Sequence, residues 1–203
     1  KVWEVATGRE LRTLAGHSRD VNGVALSADG RLAVSASDDK TLKVWEVATG
    51  CELRALAGHS AAVTSVALSA DGRLAVSASS DTTLKVWEVA TGRELRTLAG
   101  HSKDVYGVAL SADGRLAVSA SREKALKVWE AATGRELRML AGHSFHVRAV
   151  ALSADGRLAV SASDDTTLKV WEVATGHELR TLAGHNEIVY SVALSADGRL
   201  AVS

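Results

Sequence analysis

The chain has 203 residues, enough for one sizeable core or several small ones, and its 24 Lys and Arg balance its 24 Asp and Glu. A neutral chain sets up no field for nucleic acid or an anionic membrane surface, so neither is expected as a partner and recognition has to be local. No apolar run has the length of a membrane span, no cleavable leader is visible, and the one cysteine, Cys51, has no intrachain partner; these features read as a soluble, cytoplasmic chain.

From Lys1 onward the chain is already inside a repeat, opening on Lys1-Val2-Trp3 without an initiator Met, which reads as a piece of a longer repeat array or an excised fragment. Trp recurs at Trp3, Trp45, Trp87, Trp129 and Trp171, and Gly-His at Gly16-His17, Gly58-His59, Gly100-His101, Gly142-His143 and Gly184-His185, both at a period of 42 residues. Within each unit the turn signals Ser-Ala-Asp-Gly-Arg and Ala-Thr-Gly separate short runs of Val, Leu, Ala and Ser. In the unit that follows His59, strand a is expected at about Val63 to Ser69, b at Arg73 to Ser79, c at Thr83 to Val89 and d at Arg93 to Ala99. Val21 and Val24 are three apart, which breaks strand alternation and predicts a β-bulge near Asn22.

Gly-His before the first strand and Trp in the third, in five phased copies, resemble the WD-repeat β-propeller family over all 203 residues. The family's usual Trp-Asp reads Trp-Glu here, as at Trp45-Glu46, and its usual Pro in the a-b turn is Ala28, Ala70, Ala112, Ala154 and Ala196. The Asp-Gly pair, as at Asp29-Gly30, still supplies a residue that tolerates positive φ. The resemblance implies an all-β propeller of four-stranded antiparallel blades. Residues 1–15 give strands c and d of a half-blade, 21–57, 63–99, 105–141 and 147–183 four full blades, and 189–203 strands a and b of another half. The two halves are expected to join as a fifth blade, lacking only the seven residues equivalent to Ala36 to Leu42, within one chain or between copies in a homo-oligomeric ring. Family rings most often hold seven blades, and the core is expected to be divided blade by blade.

His17, Ser35 and Asp39 recur together, and Ser, His and Asp are the parts of a nucleophile with its base and orienting acid. A triad in every blade has no chemical rationale, so a hydrolase is a distant alternative. The resemblance implies a structural tetrad instead: His17, Ser35, Asp39, Trp45; His59, Ser77, Asp81, Trp87; His101, Ser119, Glu123, Trp129; and His143, Ser161, Asp165, Trp171. Ser37 shares a strand face with Ser35 and stays open as the tetrad hydroxyl, and Glu123, one methylene longer than Asp, puts the reach of its network in question. His143 and His146 lack further ligands at usable spacing, and Asp38-Asp39 and Asp164-Asp165 sit in short hairpins without an oxygen-rich loop. No metal and no cofactor are expected.

Differences between copies are concentrated in two loops. The segment after Gly-His carries Asp20, Asn22, Thr64, Asp104, Tyr106, Phe145, His146, Arg148, Ile188 and Tyr190; the b-c hairpin carries Asp38, Ser80, Arg122 and Asp164. Antiparallel connectivity puts both loops at one end of every blade, while the other two loops scarcely vary except at Arg9, Cys51 and their equivalents. The expectation is a non-enzymatic scaffold presenting this variable face to a protein or peptide partner. The near-identity of the copies keeps a designed or amplified repeat without a ligand as the alternative.

Overall fold

The computed structural model describes residues 1–203, which form strands and turns and no helix. Apolar residues repeat at strand spacing between Gly-centred turns, so each 42-residue unit folds as an antiparallel meander. The first full blade consists of β3 (Val21–Leu26), β4 (Leu32–Ser37), β5 (Thr41–Glu46) and β6 (Glu52–Ala57), paired in that order. The second is β7 (Val63–Leu68), β8 (Leu74–Ser79), β9 (Thr83–Glu88) and β10 (Arg93–Ala99); the third is β11 (Val105–Leu110), β12 (Leu116–Ser121), β13 (Ala125–Glu130) and β14 (Arg135–Ala141). The fourth is β15 (Val147–Leu152), β16 (Leu158–Ser163), β17 (Leu168–Glu172) and β18 (Glu178–Leu182). β1 (Val2–Glu4) pairs with β2 (Arg9–Arg12) before them, and β19 (Ala193–Leu194) with β20 (Ala201–Val202) after them.

The register of β3 on β4 runs Val21 to Ser37 and then Gly23 to Ala36, so Asn22 is the bulged residue, and Thr64, Tyr106 and Arg148 bulge in the same way. A second bulge at Leu53 in β6, and at its equivalents, kinks each fourth strand. Gly30 and Gly50 turn with φ of 69° and 79°, which a side chain would resist. The b-c hairpin is different: Lys40, Thr82, Lys124 and Thr166 take positive φ of 67° to 71° with side chains attached.

The core lies between the blades and not within each one, contrary to the expectation from the repeats. One cluster joins Val34, Ala36, Leu42 and Val44 of the first blade to Val63, Val66, Ala75 and Trp87 of the second, and the same pattern is repeated at the next two boundaries. A single sheet has two apolar faces and no interior, so only stacking on a neighbour removes both from water. The floor adds a backbone link: the N–H of Ala70 donates to the carbonyl of Ala112 at 2.9 Å, Ala112 to Ala154 at 3.3 Å, and Ala154 to Ala196 at 3.1 Å. Proline at these positions would have no proton to give.

The fifth blade expected from residues 1–15 and 189–203 is not assembled within the chain, because β1–β2 and β19–β20 form separate two-stranded sheets. β20 therefore does not pair with β1. No hairpin ties the halves together. The inner strand of the first blade is therefore bare, with Val21 54% and Val24 65% exposed where Val63 and Val66 are 0% and 7%. Trp3 is likewise 53% exposed, while the Trp of every full blade is buried.

Candidate functional site

Each full blade brings its four tetrad residues together. The loop before strand a delivers His17, β4 carries Ser35, the b-c hairpin Asp39, and β5 Trp45. His17 Nδ1 lies 2.8 Å from Asp39 Oδ2 and Nε2 2.7 Å from Ser35 Oγ, and Trp45 Nε1–H donates to the same Oγ at 2.8 Å. The second blade places His59 2.8 Å from Asp81 and 2.7 Å from Ser77, with Trp87 donating at 2.9 Å; in the fourth, His143 is 2.7 Å from both Asp165 and Ser161, and Trp171 donates at 2.8 Å. Proton order follows from the donors present: indole N–H to hydroxyl oxygen, hydroxyl O–H to imidazole Nε2, imidazole Nδ1–H to carboxylate. Ser37 is not the tetrad hydroxyl, since its Oγ faces the Arg19 carbonyl and receives the Asp39 N–H.

Glu123 does reach. Its Oε2 is 2.6 Å from His101 Nδ1, while Ser119 and Trp129 complete the network at 2.7 and 2.9 Å. The longer carboxylate also takes the Ser102 hydroxyl and N–H. The N–H bond is common to all four blades, while the hydroxyl replaces what Thr41, Thr83 and Thr167 give to Asp39, Asp81 and Asp165, because that position is Ala125 here. In the remaining copy His185 meets Ser203 at 2.7 Å, but neither carboxylate nor Trp joins them. The Gly of Gly-His has a packing reason: a Cβ on Gly58 would lie 3.0 Å from Trp87 and 2.9 Å from Glu94.

Burial lowers the pKa of His59, His101 and His143, with the facing carboxylates only partly opposing it, so the imidazoles are neutral. Burial pushes the carboxyls up, but hydrogen bonds outweigh it: from Thr83, His59 and Ser60 for Asp81, and from Thr167, His143 and Ser144 for Asp165, each held at about 2. Glu123 is held at about 2 by Ser102 and His101 against the same burial, and Asp39 is lowered further still. This chain of bonds resembles a hydrolytic triad only in its residue types. Ser77, Ser119 and Ser161 are wholly buried and each Oγ already accepts an indole N–H, so no substrate carbonyl has a path to them.

The two variable loops meet in every blade. The N–H of Asp38 donates to the Asp20 carbonyl, Ser80 to Ala62, Arg122 to Asp104 and Asp164 to His146, all at 2.9 to 3.0 Å. At the bulge, Asn22 donates to Asp38 at 2.6 Å and across the blade boundary to the Val63 carbonyl at 3.0 Å, and Thr64 donates to the Val105 carbonyl at 2.6 Å. Arg148 instead grips Asp164 with two bonds of 2.6 and 2.8 Å, its guanidinium 4.9 Å from the ring centre of Tyr106 and 5.8 Å from that of Tyr190. His146 turns toward Asp164 and His143 toward Asp165, so the two imidazoles do not converge. Lys124 lies over Phe145 at 5.4 Å, and Phe145, Ile188 and Tyr190 are exposed on the same side. The sequence pattern named Arg148 and both tyrosines separately; their stacking depends on the bulge, which aims one side chain of each blade along the ring.

Comparison with known proteins agrees with this repeat architecture. Lissencephaly-1 homolog 1 of Paramecium tetraurelia is 46% identical over 43 residues, and eukaryotic translation initiation factor 3 subunit I of Culex quinquefasciatus 42% over 43. Each match covers 21% of this chain and only 11% and 13% of those proteins, about one repeat. The family model for the WD domain, G-beta repeat, matches residues 8–46, 50–88, 92–130, 134–172 and 176–203, in phase with the strands and tetrads described above. The chain belongs to the WD domain, G-beta repeat family.

Proposed function

We propose that this chain is a non-enzymatic interaction scaffold whose variable face takes a protein or peptide partner, while the tetrads brace the blades behind it. The observation that carries this reading is that the side chains differing between repeats gather at one end, where the loops are bonded into pairs and Phe145 and Tyr190 stand 56% and 69% exposed. Aromatic side chains on a rigid frame supply large contact area at small entropic cost, as interface anchors do. Photo-crosslinkers placed at Ile188 and at Arg73, on the opposite face, test it in a cell extract. Capture at Ile188 that fails in Tyr106→Ala and Tyr190→Ala chains of unchanged melting temperature is the expected result; capture through Arg73 alone refutes it. Cys51, exposed and unpaired, suits a cytoplasmic location.

The near-identity of the constant turns favours one other reading, a designed or amplified repeat with no evolved ligand, and an extract yielding no captured protein would support it. We also propose that the bare inner strand β3 and the bare Trp3 are covered by complementary half-blades of another copy. The solution mass of the 203-residue chain should then exceed that of one chain, with Trp3 fluorescence shifted to the blue. A monodisperse monomer with Trp3 in water would exclude it.

A further inference from the structure

Arg148 sits in a setting that proteins use to recognise a guanidinium. Its two bonds to Asp164 are the side-by-side pairing that a planar fork makes with a carboxylate and an ammonium does not. Tyr106 from the blade before and Tyr190 from the half-blade after bring their rings to 4.9 and 5.8 Å from its guanidinium carbon. Three successive repeats thus contribute one wall each.

The occupant is not demanded by the fold. At the same bulge Asn22 and Thr64 bond to a carbonyl of the next blade, so in the first two blades this position closes a blade boundary with a short side chain. Arg148 leaves that role and fills the space between the rings, with its side chain still 29% exposed.

We infer that Tyr106, Tyr190 and Asp164 form a guanidinium slot that Arg148 fills from within, and that the partner of the variable face presents an arginine side chain that takes its place. The inference rests on the reading of that face as a docking surface. It adds the partner's chemistry and an internal competitor that sets the threshold for binding, since an incoming arginine gains only what Arg148 gives up.

The experiment uses the full chain and its Arg148→Ala variant, with circular dichroism to establish that the variant folds and Arg148→Gln in reserve. Ethylguanidinium, ethylammonium and the peptides acetyl-Gly-Ser-Arg-Ser-Gly-amide and acetyl-Gly-Ser-Lys-Ser-Gly-amide are titrated against the Tyr106 and Tyr190 ring resonances. Ethylguanidinium and the Arg peptide should bind the variant at least about tenfold more tightly than they bind the parent chain, and more tightly than their ammonium counterparts. Adding Asp164→Asn should abolish the preference. Equal affinity for guanidinium and ammonium, or for variant and parent, overturns the slot. A partner crosslinked at Ile188 whose affinity falls in Arg148→Ala overturns the competitor while leaving the docking surface standing. A partner indifferent to Tyr106→Ala and Tyr190→Ala overturns the docking surface itself, whatever the small probes do.

Discussion

Replacing His59 with Ala should cost stability in proportion to what the imidazole holds. Two contacts disappear, to Asp81 at 2.8 Å and to Ser77 at 2.7 Å. Asp81 keeps the Ser60 N–H on one oxygen and Thr83 on the other, and Ser77 keeps the indole N–H of Trp87, so neither group is left wholly without a partner. A buried group stripped of its partner costs about 1 to 3 kcal/mol, and with two groups partly stripped the expected loss is about 2 to 4 kcal/mol. In a chain of this size that corresponds to a fall in melting temperature of roughly 4 to 16 °C. His185→Ala is the internal control, because His185 meets only Ser203 in an exposed setting and its loss should stay within about 0.5 kcal/mol. Urea titrations of the three chains followed by far-ultraviolet circular dichroism measure both differences. If His59→Ala and His185→Ala unfold alike, the buried chain of hydrogen bonds is not a brace.

Acid should act in two stages, since every shifted tetrad group has its pKa lowered on folding. The neutral histidines contribute stability that is complete above the unfolded value of about 6.5 and is lost as pH falls through their depressed folded values; the carboxylates contribute stability that is complete above about 4 and is lost toward about 2. Melting temperatures between pH 8 and pH 3 check this, and a chain more stable at pH 5 than at pH 8 contradicts it. Thr82→Gly should raise stability by about 1 kcal/mol, because Thr82 holds φ of 71° where a β-branched side chain is strained, and calorimetry of that variant would show the opposite sign if the hairpin were relaxed.

Much of this was legible because period and alternation are direct consequences of packing. The Trp and Gly-His spacings mark the units, and Val21 with Val24 marks the bulge at Asn22. Leu53 and Leu56, also three apart, carry the same signal for the bulge in β6. Other features depend on quantities that no single position encodes. Whether β20 pairs with β1 depends on how whole interfaces stack, and in this chain the two strands lie in separate sheets. The Glu123 network holds because Ser102 moves in where Ala125 has no hydroxyl, a compensation between residues 23 apart in the chain. Positive φ at Thr82 and Lys40 has no Gly or Asn to announce it.

The alanine turns on the floor of the arc give it the mechanics of a hand fan. Ala70, Ala112, Ala154 and Ala196 are riveted backbone to backbone, a joint whose strength no side-chain substitution alters short of proline. At the opposite rim the bulge adds a tie that varies with the residue there: an amide at Asn22, a hydroxyl at Thr64, a guanidinium over the Tyr106 ring at Arg148. The pivot thus repeats from the second blade onward, while the side chain that meets the neighbouring blade at the rim differs from one boundary to the next. Sequence change at the rim therefore adjusts elasticity as well as chemistry, and a molecule gripping that rim would feel the difference as how far the leaves yield to it.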